Sequence, residues 1–287
     1  MKNFPLFIAE VSSNHDRDLG RCLAFVDAAA KAGCGAVKFQ MFRIDELFAP
    51  EILERSETHR KRRSWELPDE LLAPIAARCH ELGVLFACTP FSLDAVERLA
   101  PHVDFYKVAS YELTWPDLIR ACAKTGKPVV LSTGMATLDE VEAAVAAARE
   151  AGCRDLKVLH CVSNYPTVPA DANLAAIETL RKALGCPIGW SDHTVRPGVI
   201  QRAIHHWGAE VIEFHLDLDG KGAEYAAGHC WLPHEIASVI RDLRDSFEAD
   251  GAPTKQASRD EIPERDWRAD PSDGLRPFKH LRATWKP

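Results

Sequence analysis

Residues 19–40 read LGRCLAFVDAAAKAGCGAVKFQ: a helix pattern, a glycine and a strand pattern in immediate succession. Leu23, Val26 and Ala30 recur at helical spacing within Leu19–Ala32, Gly33 stops the helix, and Ala36–Gln40 is apolar enough for a buried strand. The same order returns at Asp69–Leu82 with Gly83, Leu138–Ala151 with Gly152, and Pro197–Trp207 with Gly208. A helix closed by glycine and followed at once by an apolar run is the αβ connection of a parallel sheet. Strand-like runs fall at Leu6–Glu10, Ala36–Gln40, Val84–Cys88, Phe105–Val108, Val129–Ser132, Leu156–His160, Ile188–Ser191 and Val211–His215. Eight strands alternating with helices predict an α/β fold, a (β/α)8 TIM barrel over residues 1–245. A doubly wound sheet is the competing architecture, but no GxGxxG or GxxxxGKS/T loop follows any run.

Composition narrows the class. A chain of 287 residues with 46% hydrophobic content suits one large domain. No apolar run reaches the roughly 18 residues of a membrane span, and Met1-Lys2-Asn3-Phe4 leads into a strand-like segment instead of a signal peptide. Nine cysteines stand singly, with no CxxC pair, which fits reduced thiols and a cytoplasmic location. A formal charge of -7 argues against a nucleic-acid partner. The basic run His59-Arg60-Lys61-Arg62-Arg63, flanked by glutamates, reads as a solvated face, or at most as a lid attracting an anionic substrate.

Two segments break the alternation. From Phe42 to Leu67 a charged stretch replaces a short connection and reads either as a lid or substrate loop, or as a disordered insertion. Residues 246–287 carry Asp, Arg and Pro with isolated Trp267, Phe278 and Trp285; this is expected to be a short irregular extension and no separate domain.

Polar residues crowd the C-terminal ends of the strands, where barrel enzymes hold their chemistry. In order they are Glu10 with Asn14 and His15, Lys38 with Gln40, Thr89, Lys107 with Ser110 and Glu112, Ser132, Tyr165, Ser191 with His193, and His215. Two histidines ending consecutive strands can converge on one divalent metal. Two lysines on the same rim suit a phosphate or carboxylate, with Thr89, Ser110 and Ser132 as further donors.

These segments resemble the N-acetylneuraminate (sialic acid) synthase family. The likeness runs in order through Ile8-Ala9-Glu10 with Asn14-His15, Ala36-Val37-Lys38-Phe39-Gln40, Thr89-Pro90-Phe91 and Tyr106-Lys107-Val108-Ala109-Ser110 with Glu112. It continues through Leu131-Ser132-Thr133-Gly134-Met135-Ala136-Thr137, Leu159-His160-Cys161 with Tyr165-Pro166, Ser191-Asp192-His193-Thr194, and Glu213 with His215. The resemblance implies a metal-dependent enzyme that condenses phosphoenolpyruvate with an aldose or N-acylated amino sugar. The product is a nonulosonic or related 3-deoxy-2-ulosonic acid, with release of phosphate. It implies Lys38, Thr89, Lys107, Ser110, Ser132 and Ser191 around phosphoenolpyruvate, and His193 and His215 on a divalent ion, Mn²⁺ with Mg²⁺ or Co²⁺ as alternatives. Glu112 is the first candidate for the water's proton and Glu10 the second; as structural residues, Glu112 would pair with Lys107 and Glu10 would fix a helix N-terminus. Tyr165 is expected at the sugar or phosphate edge, or as a turn residue.

Departures from the family pattern fall on the sugar side. Relatives continue into a small antifreeze-like domain that lends an arginine to the neighbouring site of a dimer, whereas this sequence ends at Pro287. A homodimer is therefore expected, with Arg268 or Arg276 brought to a barrel mouth. Relatives also carry Gly-Pro-Asp-His after the last strand; this chain offers Asp217, Asp219 and Glu224, of which Glu224 either replaces the missing carboxylate in the substrate pocket or is an ordinary loop charge. His229-Cys230 lacks ligand spacing and reads as loop packing. Two competing functions remain: a 3-deoxy-ulosonate-phosphate synthase or aldolase acting on a phosphorylated aldose, and a catalytically silent barrel serving as a partner subunit.

Overall fold

The computed structural model describes residues 4–286, so the reading of Met1-Lys2-Asn3 lies outside the described residues. Eight strands appear in the expected places: β1 (Leu6–Glu10), β2 (Ala36–Met41), β3 (Leu85–Pro90), β4 (Phe105–Val108), β5 (Val129–Ser132), β6 (Leu156–Cys161), β7 (Ile188–Asp192) and β8 (Val211–Leu216). Each pairs in parallel with the next, and β8 returns to β1, closing the barrel. Where the observed strands differ from expectation, they mostly run one or two residues further at the C-terminal end, because pairing continues past the apolar run into the polar rim. A ninth strand, β9 (Cys230–Trp231), was not anticipated; it lies parallel to β8, with His215 opposite Cys230.

The principal helices are α1 (Leu19–Ala32), α2 (Ile44–Leu47), α3 (Pro50–Arg55), α4 (Glu57–Lys61), α5 (Leu72–Glu81), α6 (Leu93–Leu99), α7 (Pro116–Lys124), α8 (Leu138–Glu150), α9 (Ala176–Leu184), α10 (Pro197–His205), α11 (Ala223–Ala226) and α12 (Pro233–Ala249). In α1 the Asp18 carboxylate caps the start by accepting from the Arg21 N–H, and Gly33 ends it at φ 92°, a left-handed conformation that a side chain would strain. Its inward face, Cys22, Phe25, Val26 and Ala29, is fully buried, and a side chain the size of Phe or Val buried in this way contributes about 1.5–3 kcal/mol. The segment Asp69–Leu82 divides into a 3-10 turn, Asp69–Leu71, followed by α5.

Inside the barrel, Ile8, Ala36, Ala87, Phe105, Val130, Leu159 and Val211 form one apolar cluster. Side chains two positions apart share a face of a strand. The next inward positions are Glu10, Lys38, Thr89, Lys107, Ser132, Cys161 and Glu213, so the apolar floor carries a polar layer directly above it.

The stretch 42–67 is ordered into α2, α3, α4 and a 3-10 turn, Arg62–Trp65, not a disordered insertion. Its basic run is mostly held in local bonds: Arg63 forms a bidentate pair with Asp45, Lys61 pairs with Glu57, and Arg60 donates to carbonyls of α3. The chain divides into two compact units, residues 1–246 and 247–287. Within the second, short helical turns are held by Trp267 against Trp285, by Arg282 on Asp273, and by Arg268, which stacks on Phe278. No described helix is long and apolar enough to cross a membrane.

Candidate active site at the barrel mouth

Strand register assembles the centre. Glu10 stands opposite Lys38 on β2 and opposite His215 on β8, while Ser191 stands opposite Glu213. Lys38 Nζ lies 2.5 Å from Glu10 Oε2 and 3.7 Å from Glu213 Oε1, and it donates to Thr89 Oγ1 at 3.2 Å. Lys107 Nζ lies 3.6 Å from the same Glu213 oxygen. Both lysines and both glutamates are at most 5% exposed. Such a cluster is stable only with its charges matched, since an unpaired charge in this setting would cost several kcal/mol. Glu10 is further held by Gln40 Nε2 at 2.6 Å and by the Ser12 N–H at 3.1 Å.

The two lysines are not equivalent. Burial would lower Lys38, but Glu10 and Glu213 outweigh it and hold the ammonium above its usual range. Burial leaves Lys107 below its usual range, because the pull of Glu213 is offset in part by the repulsion of Lys38.

Around them are buried polar atoms with no partner in the protein: Ser132 Oγ, Ser163 Oγ, Glu112 Oε2 and Glu213 Oε2. Ser110 Oγ accepts from the Gly134 N–H at 3.0 Å, and a Cβ on Gly134 would sit 2.1 Å from Ser163 Oγ. Glycine at this position is what lets the two hydroxyls and the backbone N–H meet. Burial raises the Glu112 carboxyl to about 7, with Lys107 pulling the other way. Glu112 lies outside ion-pairing distance of Lys107, which is paired with Glu213 instead, and its Oε2 is buried without a hydrogen-bond partner.

The histidines lie beside this centre. His193 Nδ1 donates to the Val162 carbonyl at 2.8 Å, which leaves Nε2 with its lone pair available. Burial lowers its pKa to about 3, with His215 adding repulsion, so the ring is neutral as a metal ligand must be. The His193 and His215 rings are 5.4 Å apart, and Tyr165 stacks on His193 at 4.0 Å with its ring also near His215. Tyr165 thus walls the histidine pair. His215 Nδ1 donates to Glu224 Oε2 at 2.9 Å, while Ser12 and Ser13 hydroxyls donate to Glu224 Oε1 at 2.6 and 3.1 Å. Glu224 is thus bound to His215 and to the loop after β1, and it also faces the cavity under α2–α4, where a substrate carboxylate is expected.

Other expectations resolve differently. Asp217 receives the N–H groups of Asp219, Gly220 and Gly222, so it shapes the loop. Asn14 donates to the Leu216 carbonyl, and His15 accepts from the Arg17 N–H; both tie down the loop after β1 and so position Ser12 and Ser13. His229-Cys230 is not simple loop packing: His215, Glu224, His229 and Cys230 bring one potential ligand atom each within 4.8 Å of one another. The loop after β8 returns as β9, and Trp231 fastens it by donating to Asp192 at 3.1 Å. Sequence spacing alone concealed this, since Glu224 and His229 reach His215 only through that return.

A cavity of about 510 Å³ opens beside the rim, under α2–α4. Gln40, Glu112 and Glu224 line its inner side; Phe42, Phe48, Trp65, Phe91 and Tyr111 supply aromatic walls, and Arg62 lies among them. The Arg62 guanidinium stacks near Phe48 and Trp65, and its Nε has no hydrogen-bond partner. Of the residues gathered here, Ser163 was not singled out in the sequence; Glu213 entered only as a family match, Arg62 only within the basic run, and His229 only as loop packing. A second cavity of about 550 Å³ is lined by Met135, Leu138 and Thr179 with His160, whose ring bonds to the Ala172 carbonyl. It lacks the converging charges of the first.

The NeuB family matches residues 25–255. The chain is 37% identical over 248 residues to an uncharacterised protein of Methanocaldococcus jannaschii, covering 85% of this chain and 71% of the relative. It is 32% identical to the N,N'-diacetyllegionaminic acid synthase of Legionella pneumophila, covering 90% and 76%. The crystal structure of an N-acetylneuraminic acid (sialic acid) synthetase from Leptospira borgpetersenii, in complex with citrate, superposes with a TM-score of 0.80 at 31% identity, covering 92% of this chain and 90% of that one. A barrel with this rim and this extent of likeness to named synthases belongs to the NeuB family of enzymes.

Proposed function

We propose that this enzyme condenses phosphoenolpyruvate with an aldose or N-acylated amino sugar, giving a nonulosonic or related 3-deoxy-2-ulosonic acid and phosphate. The observation that carries the reading is the ring of buried, unpartnered polar atoms facing two buried lysines. Buried polar groups are normally satisfied, so orphans gathered at one rim support a polar ligand there. Lys38 and Lys107 bind the phosphate and carboxylate, assisted by Thr89, Ser110, Ser132 and Ser191. The open-chain acceptor lies toward the cavity, with its aldehyde near Tyr165, Gln40 and the histidines.

C3 of the enol phosphate forms the new bond to the aldehyde carbon, and the carbonyl electron pair becomes an alkoxide on the former aldehyde oxygen. Water then adds to the cationic C2; Glu112 takes one of its protons, which ends on that alkoxide to make the new hydroxyl, and as the C2–O bond to phosphate breaks the other proton leaves with the phosphate and the water oxygen becomes the C2 carbonyl. A group held near pH 7 suits that proton transfer. Glu10, fixed between Lys38 and Gln40, orients the aldehyde end. His193 and His215, each with one nitrogen committed to a hydrogen bond, are suited to hold a divalent ion, Mn²⁺ with Mg²⁺ or Co²⁺ as alternatives. Such an ion would supply electrophilic polarisation of the aldehyde. The enzyme is read as a cytoplasmic homodimer.

Arg62 offers a polar acceptor group a cation from within the barrel unit. Its aromatic neighbours suit the apolar face of an N-acyl substituent. The test is phosphate release from phosphoenolpyruvate with Mn²⁺ and matched free and phosphorylated aldoses and amino sugars. Turnover with a free sugar supports the reading, whereas turnover only with a phosphorylated aldose moves the enzyme to the 3-deoxy-ulosonate-phosphate class. No phosphate release with any acceptor would remove the condensation.

A further inference from the structure

We infer that Ser12 is a positioning residue of the ion site: from one strained turn its N–H holds Glu10 and its hydroxyl holds Glu224, and through Glu224 it fixes the His215 ring. The inference rests on the reading that His193 and His215 hold a divalent ion. It starts from a side chain that stands where glycine is favoured. The Asn14 N–H donates to the Val11 carbonyl at 3.1 Å, so Ser12 and Ser13 are the central residues of a tight turn directly after β1. Ser12 takes φ 52°. A left-handed first central position suits glycine, and any other side chain there carries strain that the surrounding contacts must hold. Two contacts do so: the Ser12 N–H donates to Glu10 Oε1 at 3.1 Å, and Ser12 Oγ donates to Glu224 Oε1 at 2.6 Å. The residue is buried, so water competes little for either bond. Glycine would keep the N–H bond and take the turn without strain; what serine adds is the hydroxyl on Glu224.

Glu224 passes the constraint on. Its Oε2 accepts from His215 Nδ1 at 2.9 Å, while its Oε1 is bound by Ser12 and, at 3.1 Å, by Ser13 Oγ. A carboxylate pinned on one oxygen can turn only by breaking those bonds, so the other oxygen stays on the imidazole and sets both its tautomer and its plane. His215 Nε2 then keeps its lone pair for the ion. The circuit closes through the sheet, because His215 stands opposite Glu10 in the β1–β8 register. The turn is docked on the same side of the barrel: Asn14 Nδ2 donates to the Leu216 carbonyl at 3.2 Å, and Arg21 Nε donates to the Asn14 carbonyl at 2.5 Å. Loss of the outer hydrogen-bonding partner of a metal-bearing histidine commonly lowers metal affinity by about 10–100-fold. Deleting one of the two hydroxyls that hold Glu224 belongs at the lower end of that range.

The experiment uses the full chain, stripped of metal, titrated with Mn²⁺ alone by calorimetry and, separately, unfolded by heat without metal. Ser12→Gly and Ser12→Ala both delete the hydroxyl, but only alanine keeps the strain. Both are expected to bind Mn²⁺ about tenfold more weakly than wild type and within about twofold of each other, although Ser12→Ala melts about 2–4 °C below Ser12→Gly. A purely structural role would make affinity follow stability; that pattern, or a Ser12→Gly affinity within about twofold of wild type, overturns the inference. Glu224→Gln tests the path. The double variant Ser12→Gly/Glu224→Gln is expected to bind Mn²⁺ no more weakly than Glu224→Gln alone, whereas losses that multiply show that Ser12 does not act through Glu224 and overturn the inference as well. His215→Ala separates the two claims: if it abolishes binding while Ser12→Gly binds like wild type, only the role of Ser12 falls. If His215→Ala binds like wild type, the histidine ion site falls.

Discussion

The two halves of the barrel mouth are built by different means. On the side of Lys38, Lys107, Ser132 and Glu213, every group stands on a strand, two positions above an apolar floor residue, and parallel register sets its neighbours. On the side proposed for the acceptor, Arg62, Glu224 and His229 stand on a helical insertion and on the loop between β8 and β9, at positions set by packing and hydrogen bonds. A strand-borne group cannot move without shifting the barrel, whereas a loop-borne group can be exchanged with little cost to the fold. Under the proposed function, the contrast separates chemistry from selectivity: the first half would take the common anionic substrate, the second a variable acceptor.

The largest expected effect is on the strand side. Lys107→Ala removes an ammonium and leaves Glu213 paired only with Lys38 at 3.7 Å. Phosphoenolpyruvate affinity should fall by about 10–150-fold, as for loss of a charged contact of about 1.5–3 kcal/mol, with a smaller change in acceptor KM. Equal loss for both substrates, measured by calorimetry and steady-state kinetics, would erase the proposed division of the mouth. His193→Ala should abolish turnover while leaving the circular dichroism spectrum unchanged, because its ring is neutral and packed by Tyr165 instead of supporting the barrel floor.

A sharper comparison comes from pH. Glu112 is raised from 4.5 to about 7, so between those values the folded protein holds a proton that the unfolded chain has released. Its contribution to stability is complete below 4.5 and is lost as pH rises through 7, while its capacity as a base grows over the same upper range. The limiting rate should therefore rise with an inflection near 7, and Glu112→Gln should remove that inflection and flatten the fall in thermal stability. An unchanged rate profile in the variant would transfer the proton to Glu10.

The smallest effects belong to the acceptor side. Arg62→Ala is expected to raise acceptor KM about tenfold, near 1.4 kcal/mol, with phosphoenolpyruvate affinity within twofold of wild type. Removing residues 251–287 is expected to change acceptor KM by less than about threefold, since Arg268 stacks on Phe278 and donates to the Arg265 carbonyl within its own unit. The opposite ranking would return the role of acceptor cation to Arg268 or Arg276.

Much of the strand half was legible. Ala36-Val37-Lys38 and Phe105-Tyr106-Lys107 place a lysine where an apolar run ends, and a period of two puts it on the inward face. The sharing of Glu213 by Lys38 and Lys107 was not legible, because it needs the barrel to close from β2 through to β8. Arg62 was hidden in a basic run whose other members make ordinary local pairs; only folding of α2–α4 separates it from them.

By itself the sequence determined the order of eight strands and the polar layer at their ends, because periodicity and glycine-closed helices are local properties of the chain. Tertiary structure alone decided that Glu224 serves His215, that His229 joins them, and that the cavity lies under residues 42–67. Those contacts join loops whose approach depends on β9 docking beside β8 through Trp231 and Asp192, and no spacing rule along the chain encodes the distance between two loops until the strands beneath them have paired.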